Sequence, residues 1–218
     1  MANLRTLSLL LCMLVVPVVA ANTQFNYDGF YARLKKSEKA EFSHITLAFM
    51  LQKQQTTEPC DITGARITTD ISSDPLTVAA NGELMLPFSE LLNNRKALIA
   101  LDQPKDAVPC DLNFRLRSKM ALNATVELSE LLKMHQQFDA LLKELAGMGK
   151  YFLPPMTGVT LHFPAEVVLE NAAAPLARRV DCKQNQCQLD LTQSASLDGK
   201  MTLQFSQAPD FVLPLLKK

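Results

Sequence analysis

The stretch "EPCDITGARI" at residues 58–67 returns fifty residues later as "VPCDLNFRLR" at residues 108–117. Both contain proline, cysteine and aspartate in succession, and both continue with alternating polar and apolar side chains. In the second copy the apolar parity begins at the cysteine, as expected for a half-buried strand whose cysteine faces inward, and comprises Cys110, Leu112, Phe114 and Leu116. The repetition predicts one structural element that is used more than once.

A third copy of the pattern begins at Cys187, in the stretch "CQLDLTQ". A second apolar stretch that ends in serine follows each cysteine, and both Cys110 to Ser129 and Cys187 to Ser206 span nineteen residues. The unit is therefore cysteine, strand, turn, strand and serine, used about three times. It predicts a strand-rich α+β domain built from repeated hairpin-like units.

Helices are expected to accompany these strands. A short N-terminal helix is predicted at residues 29–36, and Ser89 is expected to cap a brief second one. A long amphipathic helix is predicted to begin at a Ser129 cap, to end near Gly147 and to pack on the sheet. Its His135 lies among polar neighbours and is expected at the surface. Its apolar stripe has helical spacing and comprises Leu128, Leu131, Leu132, Phe138, Leu141, Leu142 and Leu145.

The first residues have the pattern of a secretory signal peptide, in which Arg5 precedes an apolar run from Leu7 to Val19. Small residues at Val19 and Ala21 predict cleavage after Ala21. The run has thirteen residues and contains Pro17, so it is shorter than the roughly 20 residues that span a bilayer. We therefore predict that residues 1–21 direct export and are removed.

The exported chain, residues 22–218, has nearly balanced charge. Only Arg5 is lost with the leader, so 22 − 1 = 21 basic side chains face 22 acidic ones. This balance lacks the basic excess of nucleic-acid-binding proteins and predicts no nucleic-acid partner. No second apolar run of spanning length follows, so the exported chain is not expected to cross a membrane. We predict one domain, with a candidate sub-boundary at residues 151–158, where two prolines occur.

Four cysteines follow the leader, and four allow three disulfide connectivities. We favour Cys60–Cys110, because equivalent positions of duplicated units tend to lie side by side. We also favour Cys182–Cys187, because the residues between them resemble a hairpin loop. A zinc site would need closely spaced ligand pairs with histidine nearby, and the chain has none, so neither a metal nor a cofactor is predicted.

The sequence contains no Gly-x-Ser-x-Gly, Ser-x-x-Lys or His-Glu-x-x-His motif and no glycine-rich phosphate loop. Asp61 and Asp111 could form a pair of catalytic carboxylates, but each lies on the polar parity of its strand, where a solvated carboxylate is the simpler interpretation. We therefore expect no catalysis. The alternative is a hydrolase with a motif-free site that uses His44 or His162.

Arg115, Arg117 and Lys119 share the outward parity of one predicted strand and form a row of three cations. Such a row could bind an anionic group, for example a lipid phosphate or an acidic peptide. It could equally be a solvated face whose charges prevent aggregation of the sheet, which is the simpler interpretation. These three residues are the candidate binding residues.

Between Tyr27 and Leu132 the chain contains "YDGFYARLKK", "ITLAFMLQ", "PCDI", "GELMLPF" followed by "KALIAL", and "CDLNFRL". Together these stretches resemble a family of uncharacterised exported proteins of Gram-negative bacteria, a domain of unknown function. The resemblance implies a periplasmic location and assigns no catalytic or binding residue.

We therefore expect a non-catalytic periplasmic protein that binds another protein or an anionic component of the cell envelope. A lipid carrier is a third class of function. It would require an apolar cavity under the long helix in place of a filled core.

Overall fold

The structure, a computed structural model, describes residues 21–217. The predicted signal peptide therefore lies outside the described residues, except for Ala21. The chain is α+β and rich in strands, as predicted. The strands, numbered in chain order, are β1 Ala21–Asn26, β2 Ile45–Lys53, β3 Gly64–Thr68, β4 Ser73–Pro75, β5 Thr77–Val78, β6 Glu83–Met85, β7 Leu98–Gln103, β8 Cys110–Ser118, β9 Thr125–Glu127, β10 Met156–His162, β11 Leu169–Ala172, β12 Val180–Lys183, β13 Gln186–Asp190, β14 Thr202–Phe205 and β15 Phe211–Leu216.

These strands form four small antiparallel sheets. The first has the order β1-β7-β3-β4 and the second β5-β6-β2-β8. The third has the order β12-β13-β10-β15 and the fourth β11-β14-β9. The longest ladder joins β2 to β8 over nine residue pairs, from Ile45 opposite Ser118 to Lys53 opposite Cys110. Strand β2 is buried along nearly its whole length; it is a central strand between β6 and β8 and is contacted by two helices of the chain.

The helices are α1 Tyr27–Ser37, α2 Glu90–Asn94, α3 Leu128–Ala146 and α4 Ala174–Ala177, and short 3-10 helices lie at Ala40–Phe42, Gly147–Phe152 and Ser194–Ser196. The helix predicted at residues 29–36 is α1. Helix α2 begins after Ser89, whose hydroxyl accepts a hydrogen bond from the Leu92 amide as an N-cap does.

The long predicted helix is α3, but Ser129 does not cap it. The cap position is Glu127, the last residue of β9, and strand therefore passes directly into helix. The amides of Leu128 and Ser129 donate to the carbonyls of Met201 and Gly199, so a neighbouring segment satisfies the first N–H groups in place of a side chain. Gly147 ends the helix at φ +56, as predicted.

Helix α3 packs on the sheets through its apolar stripe, and its buried residues are Leu128, Leu131, Met134, Phe138 and Leu141. Nearly all of the buried hydrophobic residues of the described chain form one core cluster. That cluster includes residues from both sides of the candidate sub-boundary at residues 151–158, for example Leu84 and Leu189.

The repeated unit is organised differently from a hairpin. In the two later copies the first strands, β8 and β13, lie in the second and third sheets, while the second strands, β9 and β14, pair with each other in the fourth. Val126 and Leu203, opposite one another in that pair, are both buried. Strands β9 and β14 therefore bury their apolar residues against each other. Local hairpins do occur: the first copy contains β3 with β4 and β5 with β6, and the first strand of the third copy, β13, pairs with β12 before it.

Two disulfides join the cysteines in the pairing that the sequence favours. Cys60 and Cys110 have a Cα–Cα distance of 5.8 Å, and both lie beside the end of β2. Cys182 and Cys187 face each other across the β12–β13 hairpin, with a Cα–Cα distance of 4.0 Å. Disulfides of this kind are typical of proteins that fold in oxidising compartments.

Candidate functional site

An apolar groove of about 490 Å³ lies between two edge strands, β8 and β15, beneath the C-terminal end of α3. This volume falls within the range of roughly 300–1,000 Å³ that is usual for small-molecule sites. Two of its twelve lining residues are cationic, Arg33 and Arg115. The other ten are apolar and are Leu47, Phe114, Leu116, Leu142, Leu145, Ala146, Leu153, Leu213, Pro214 and Leu216.

The groove exists because the second and third sheets touch without merging. In the part of the chain that the structure describes, β8 pairs only with β2, and β15 only with β10. The two edges meet where the Ser118 hydroxyl accepts a hydrogen bond of 3.1 Å from the Val212 amide. Pro214 has no N–H to donate, and proline within a sheet is found mainly on edge strands for this reason. The edges therefore do not close into one ladder, and apolar side chains line the space between them.

Residues of both strand parities reach the groove because it follows the edge of β8. Phe114 and Leu116 belong to the apolar parity, and Arg115 belongs to the polar one. The predicted inward position of Phe114 is only partly correct, since 48% of the residue is exposed. Its ring packs against Phe49, and the Arg33 guanidinium lies 4.6 Å from its centroid.

The two arginines place positive charge at an otherwise apolar site. Arg33, on α1, donates a hydrogen bond of 2.8 Å to the Gly29 carbonyl. Within residues 21–217 neither Arg33 nor Arg115 forms an ion pair with a carboxylate. Burial lowers the pKa of His162, and the positive charge of the nearby Arg115 lowers it further. An anionic group that entered the groove would find cations with no competing carboxylate partner.

The structure separates the three predicted binding residues. Arg115 lines the groove, whereas Arg117 binds Glu83 with an Nη2–Oε1 distance of 2.7 Å. Lys119 pairs with Glu38 at 3.1 Å. The predicted row of solvated cations is therefore not a single surface, because two of its members are bound by carboxylates from other elements and Arg115 and Arg117 are half-buried.

A second, more polar cavity of about 380 Å³ adjoins the groove and shares Leu142, Leu153 and Leu216 with it. It is lined by His135, which the sequence places at the surface. The structure corrects this position: His135 is half-buried, and its Nε2 is buried without a hydrogen-bond partner within the described chain. The signal was present in the sequence, because residue 135 follows Leu131 by four and so falls on the apolar stripe.

The two histidines of the alternative hydrolase have different surroundings in the structure. The Nδ1 of His44 lies 3.0 Å from the hydroxyl of its chain neighbour Ser43 and 3.1 Å from the Gln137 amide nitrogen. His162 stacks on Phe211 with ring centroids 5.0 Å apart. Within residues 21–217 no carboxylate contacts either ring at ion-pair distance, and such a partner usually orients a catalytic imidazole.

The two repeated aspartates are both exposed, and Asp61 pairs with Lys53 at 3.3 Å. Among the described residues no group of three or more histidine, cysteine, aspartate or glutamate side chains is placed to hold a metal ion. No helix of residues 21–217 combines the length and the apolar character that crossing a membrane requires.

Several groove residues lie outside the candidates that the sequence suggested. Arg33 follows Phe30 and Gly29 on α1 and carries no motif. Leu213, Pro214 and Leu216 belong to the C-terminal stretch "FVLPLL", in which a proline within an apolar run is typical of an edge strand. Pro214 was therefore the sequence signal that could have predicted an edge strand at this wall of the groove.

The fold and the groove together define a class: a disulfide-linked, strand-rich α+β protein with a ligand-sized apolar groove and two cations. A family model described as "protein of unknown function (DUF2987)" matches residues 19–163, and the chain belongs to that family. This agrees with the resemblance to a domain of unknown function and extends it past Leu132. Neither a curated protein nor a solved structure is significantly similar to the chain.

Proposed function

We propose that this protein is exported to the periplasm and there binds, without catalysis, an amphiphilic component of the cell envelope. A hydrocarbon chain would occupy the groove between β8 and β15, and an anionic headgroup would contact Arg115, with Arg33 nearby. The observation that carries the proposal is the composition of the groove, in which ten apolar residues surround two arginines without carboxylate partners in the described chain.

The location rests on two supports. The N-terminal residues have the signal-peptide pattern of a charged residue, a short apolar run and small residues before the cleavage site. The two disulfides favour an oxidising compartment, since the cytosol keeps most thiols reduced. A single-chain amphiphile fits better than a large, purely polar ligand, because burying polar groups against leucine without hydrogen bonds is costly.

A pair of matched probes tests the proposal. Dodecanoate and dodecanol have the same hydrocarbon chain, and only dodecanoate carries an anion. Their binding can be measured by displacement of anilinonaphthalene sulfonate from the unreduced protein. We expect both to bind and dodecanoate to bind more tightly, because a charge-assisted hydrogen bond to Arg115 contributes about 1.5–3 kcal/mol, or roughly ten-fold or more in affinity.

Three variants identify the site. Leu213→Asp is expected to abolish binding of both probes, because it places a charge in the apolar wall. Arg115→Gln is expected to remove the preference for dodecanoate and to leave dodecanol binding unchanged. Lys119→Gln is the matched control, since this cation lies just after the same strand but is bound by Glu38. Binding of both probes that survives Leu213→Asp, together with a preference for dodecanoate that survives Arg115→Gln, would overturn the proposal and favour a protein partner at another surface.

A further inference from the structure

The 3-10 helix Gly147–Phe152 forms an exposed apolar tip directly after α3. Met148 and Phe152 are each 89% exposed and Tyr151 is 80% exposed. These are the three most exposed large hydrophobic residues of the described chain, and they lie within five consecutive positions. Contiguous exposed apolar groups on a folded protein mark an interaction site more often than scattered ones do.

The local sequence holds these side chains away from the core. Gly147 takes φ +56 and turns the chain out of α3, and Pro154 and Pro155 prevent the helix from resuming. The turn is closed by the Leu153 amide, which donates to the Lys150 carbonyl at 3.4 Å. The tip is therefore a defined turn of backbone that presents apolar side chains to solvent.

The tip is free of negative charge along the sequence. No acidic residue occurs between Glu144 and Glu166, and Glu144 is bound by Lys39 at 2.7 Å. Lys150 lies within the tip, and its ammonium is 5.2 Å from the Tyr151 ring centroid. At the base of the tip the Lys36 ammonium donates to the Glu144 carbonyl at 3.0 Å. The tip thus combines a tyrosine, a phenylalanine and a methionine with nearby cations.

The area that the tip can bury decides between a protein and a membrane as its partner. An aromatic side chain buries about 150–250 Å². Three side chains of about this size therefore offer roughly 450–750 Å², which is less than the roughly 800 Å² per partner of a standard protein interface. A bilayer needs no shape complementarity, and its interface favours amphipathic aromatic rings and lysine beside apolar groups.

We propose that the tip Gly147–Phe152 docks this protein on an anionic lipid bilayer. Met148, Tyr151 and Phe152 enter the interfacial region, and Lys150 contacts the lipid phosphates. The inference goes beyond the proposed function by naming the surface that the protein meets, and it does not require a ligand in the groove. Where both hold, docking brings the groove to the membrane, because Ala146 and Leu153, which flank the tip, line the groove.

The absence of tryptophan from the chain permits a clean optical test. Phe152→Trp introduces a single reporter at the tip, and Met120→Trp introduces one at a 72% exposed control position outside it. The vesicles are phosphatidylcholine with about a quarter phosphatidylglycerol as the anionic lipid. We expect the emission of Phe152→Trp to shift to the blue and to be quenched by brominated lipid, while Met120→Trp responds to neither. No response at residue 152, or equal responses at both positions, would refute docking through the tip.

Sedimentation with the same vesicles provides the second measurement. The double variant Met148→Asp/Phe152→Asp is expected to lower the bound fraction at least about ten-fold, because each carboxylate opposes insertion and is repelled by anionic lipid. Ile71→Asp/Met120→Asp is the matched control, since these residues are 71% and 72% exposed and lie elsewhere. This control adds the same charge and is expected to keep most of the bound fraction. Equal loss in both double variants would mean that net charge alone controls binding, and would overturn the inference.

The groove variant separates this inference from the proposed function. Leu213→Asp is expected to lose dodecanoate binding and to keep vesicle binding. If the wild-type chain binds vesicles but not dodecanoate, docking through the tip is supported and the proposed function is refuted. If it binds dodecanoate but not vesicles, the proposed function is supported and docking through the tip is refuted.

Discussion

The guanidinium of Arg117 donates two hydrogen bonds to the carboxylate of Glu83. Its Nη2 lies 2.7 Å from Oε1, and its Nε lies 3.1 Å from Oε2. Glu83 lies on β6 and is buried, and Arg117 lies on β8, on the other side of β2, and is half-buried. A planar, bidentate contact of this kind is the strongest form of ion pair that side chains make. It explains why two arginines two residues apart on β8 have different roles, since Arg117 holds two strands together and Arg115 faces the groove.

Removal of one partner of this pair should destabilise the fold severely. Arg117→Met is expected to lower the free energy of unfolding by about 3–5 kcal/mol, because it leaves a buried carboxylate without compensation. Urea unfolding followed by circular dichroism measures the loss. The double variant Glu83→Met/Arg117→Met should recover much of it.

The control for that experiment is the exposed pair between Lys119 and Glu38. Lys119→Met is expected to cost no more than about 1 kcal/mol, because solvent screens an exposed ion pair. Equal losses from Arg117→Met and Lys119→Met would contradict the special role given to the buried pair.

The two disulfides should contribute unequally to stability. On the chain-entropy account, the loop of fifty residues closed by Cys60–Cys110 contributes about 4 kcal/mol and the loop of five closed by Cys182–Cys187 about 2 kcal/mol. Paired alanine variants of each bridge, compared in urea without reductant, measure the two contributions. A larger loss for the short loop than for the long one would show that local packing outweighs loop closure.

His135 should make stability depend on pH. Burial lowers the pKa of His135 below its ordinary value, and the charge of Asp139 only partly opposes this. The unfolded chain therefore takes up the proton more readily than the folded one. The free energy of unfolding is therefore not reduced by His135 above the unfolded-state pKa of about 6.5, and it falls as the pH decreases through that value.

His135→Leu is the test of this dependence. The variant should be more stable by about 1 kcal/mol at neutral pH, because it removes a buried nitrogen without a partner. Its stability should also change less between about pH 7 and pH 5. Some slope should persist, since burial lowers the pKa of His162 as well. Gln136→Leu, at the exposed neighbouring position, should leave the slope unchanged, and an equally steep slope in His135→Leu would remove His135 as its origin.

Gly158 should tolerate no side chain. A Cβ at this position would lie 1.9 Å from the carbonyl oxygen of Leu189 on the paired strand β13, and backbone cannot move aside without breaking the ladder. Gly158→Ala is therefore expected to cost about 3 kcal/mol or more. Gly149→Ala is the control, because the nearest atom to its Cβ would be 4.0 Å away. Comparable thermal unfolding of the two variants would disprove the close approach.

Much of the local structure follows from the order of the residues. The apolar stripe from Leu128 to Leu145 predicts α3, because helix periodicity is a property of one segment alone. Ser89 predicts the start of α2 for the same reason. The strand through Cys187, Leu189 and Leu191 is likewise predicted by its alternation, and all three residues are buried. The Cys60–Cys110 pairing could be favoured from the repeat, because equivalent positions of similar units tend to meet, and the Cys182–Cys187 pairing from the short hairpin-like stretch between the two residues.

The repeat did not predict how its strands pair. Residues 119–124 carry the chain from β8 in one sheet to β9 in another, where β9 meets β14 from far along the sequence. The same limit applies to Ser129, since the atoms that satisfy the start of α3 belong to residues about seventy positions later. Contacts of such separation leave no periodic signal in either partner.

By itself, then, the sequence determined the kinds of element, their approximate ends and the disulfide framework, because hydrophobic period, glycine, proline and cysteine act within or between recognisable segments. Only the tertiary structure decided that β8 and β15 stop short of forming one ladder, that Arg117 meets Glu83 while Arg115 faces the groove, and that the tip after α3 stands in solvent. The physical reason is that each of these depends on how non-local edges, charges and surfaces are brought together by packing.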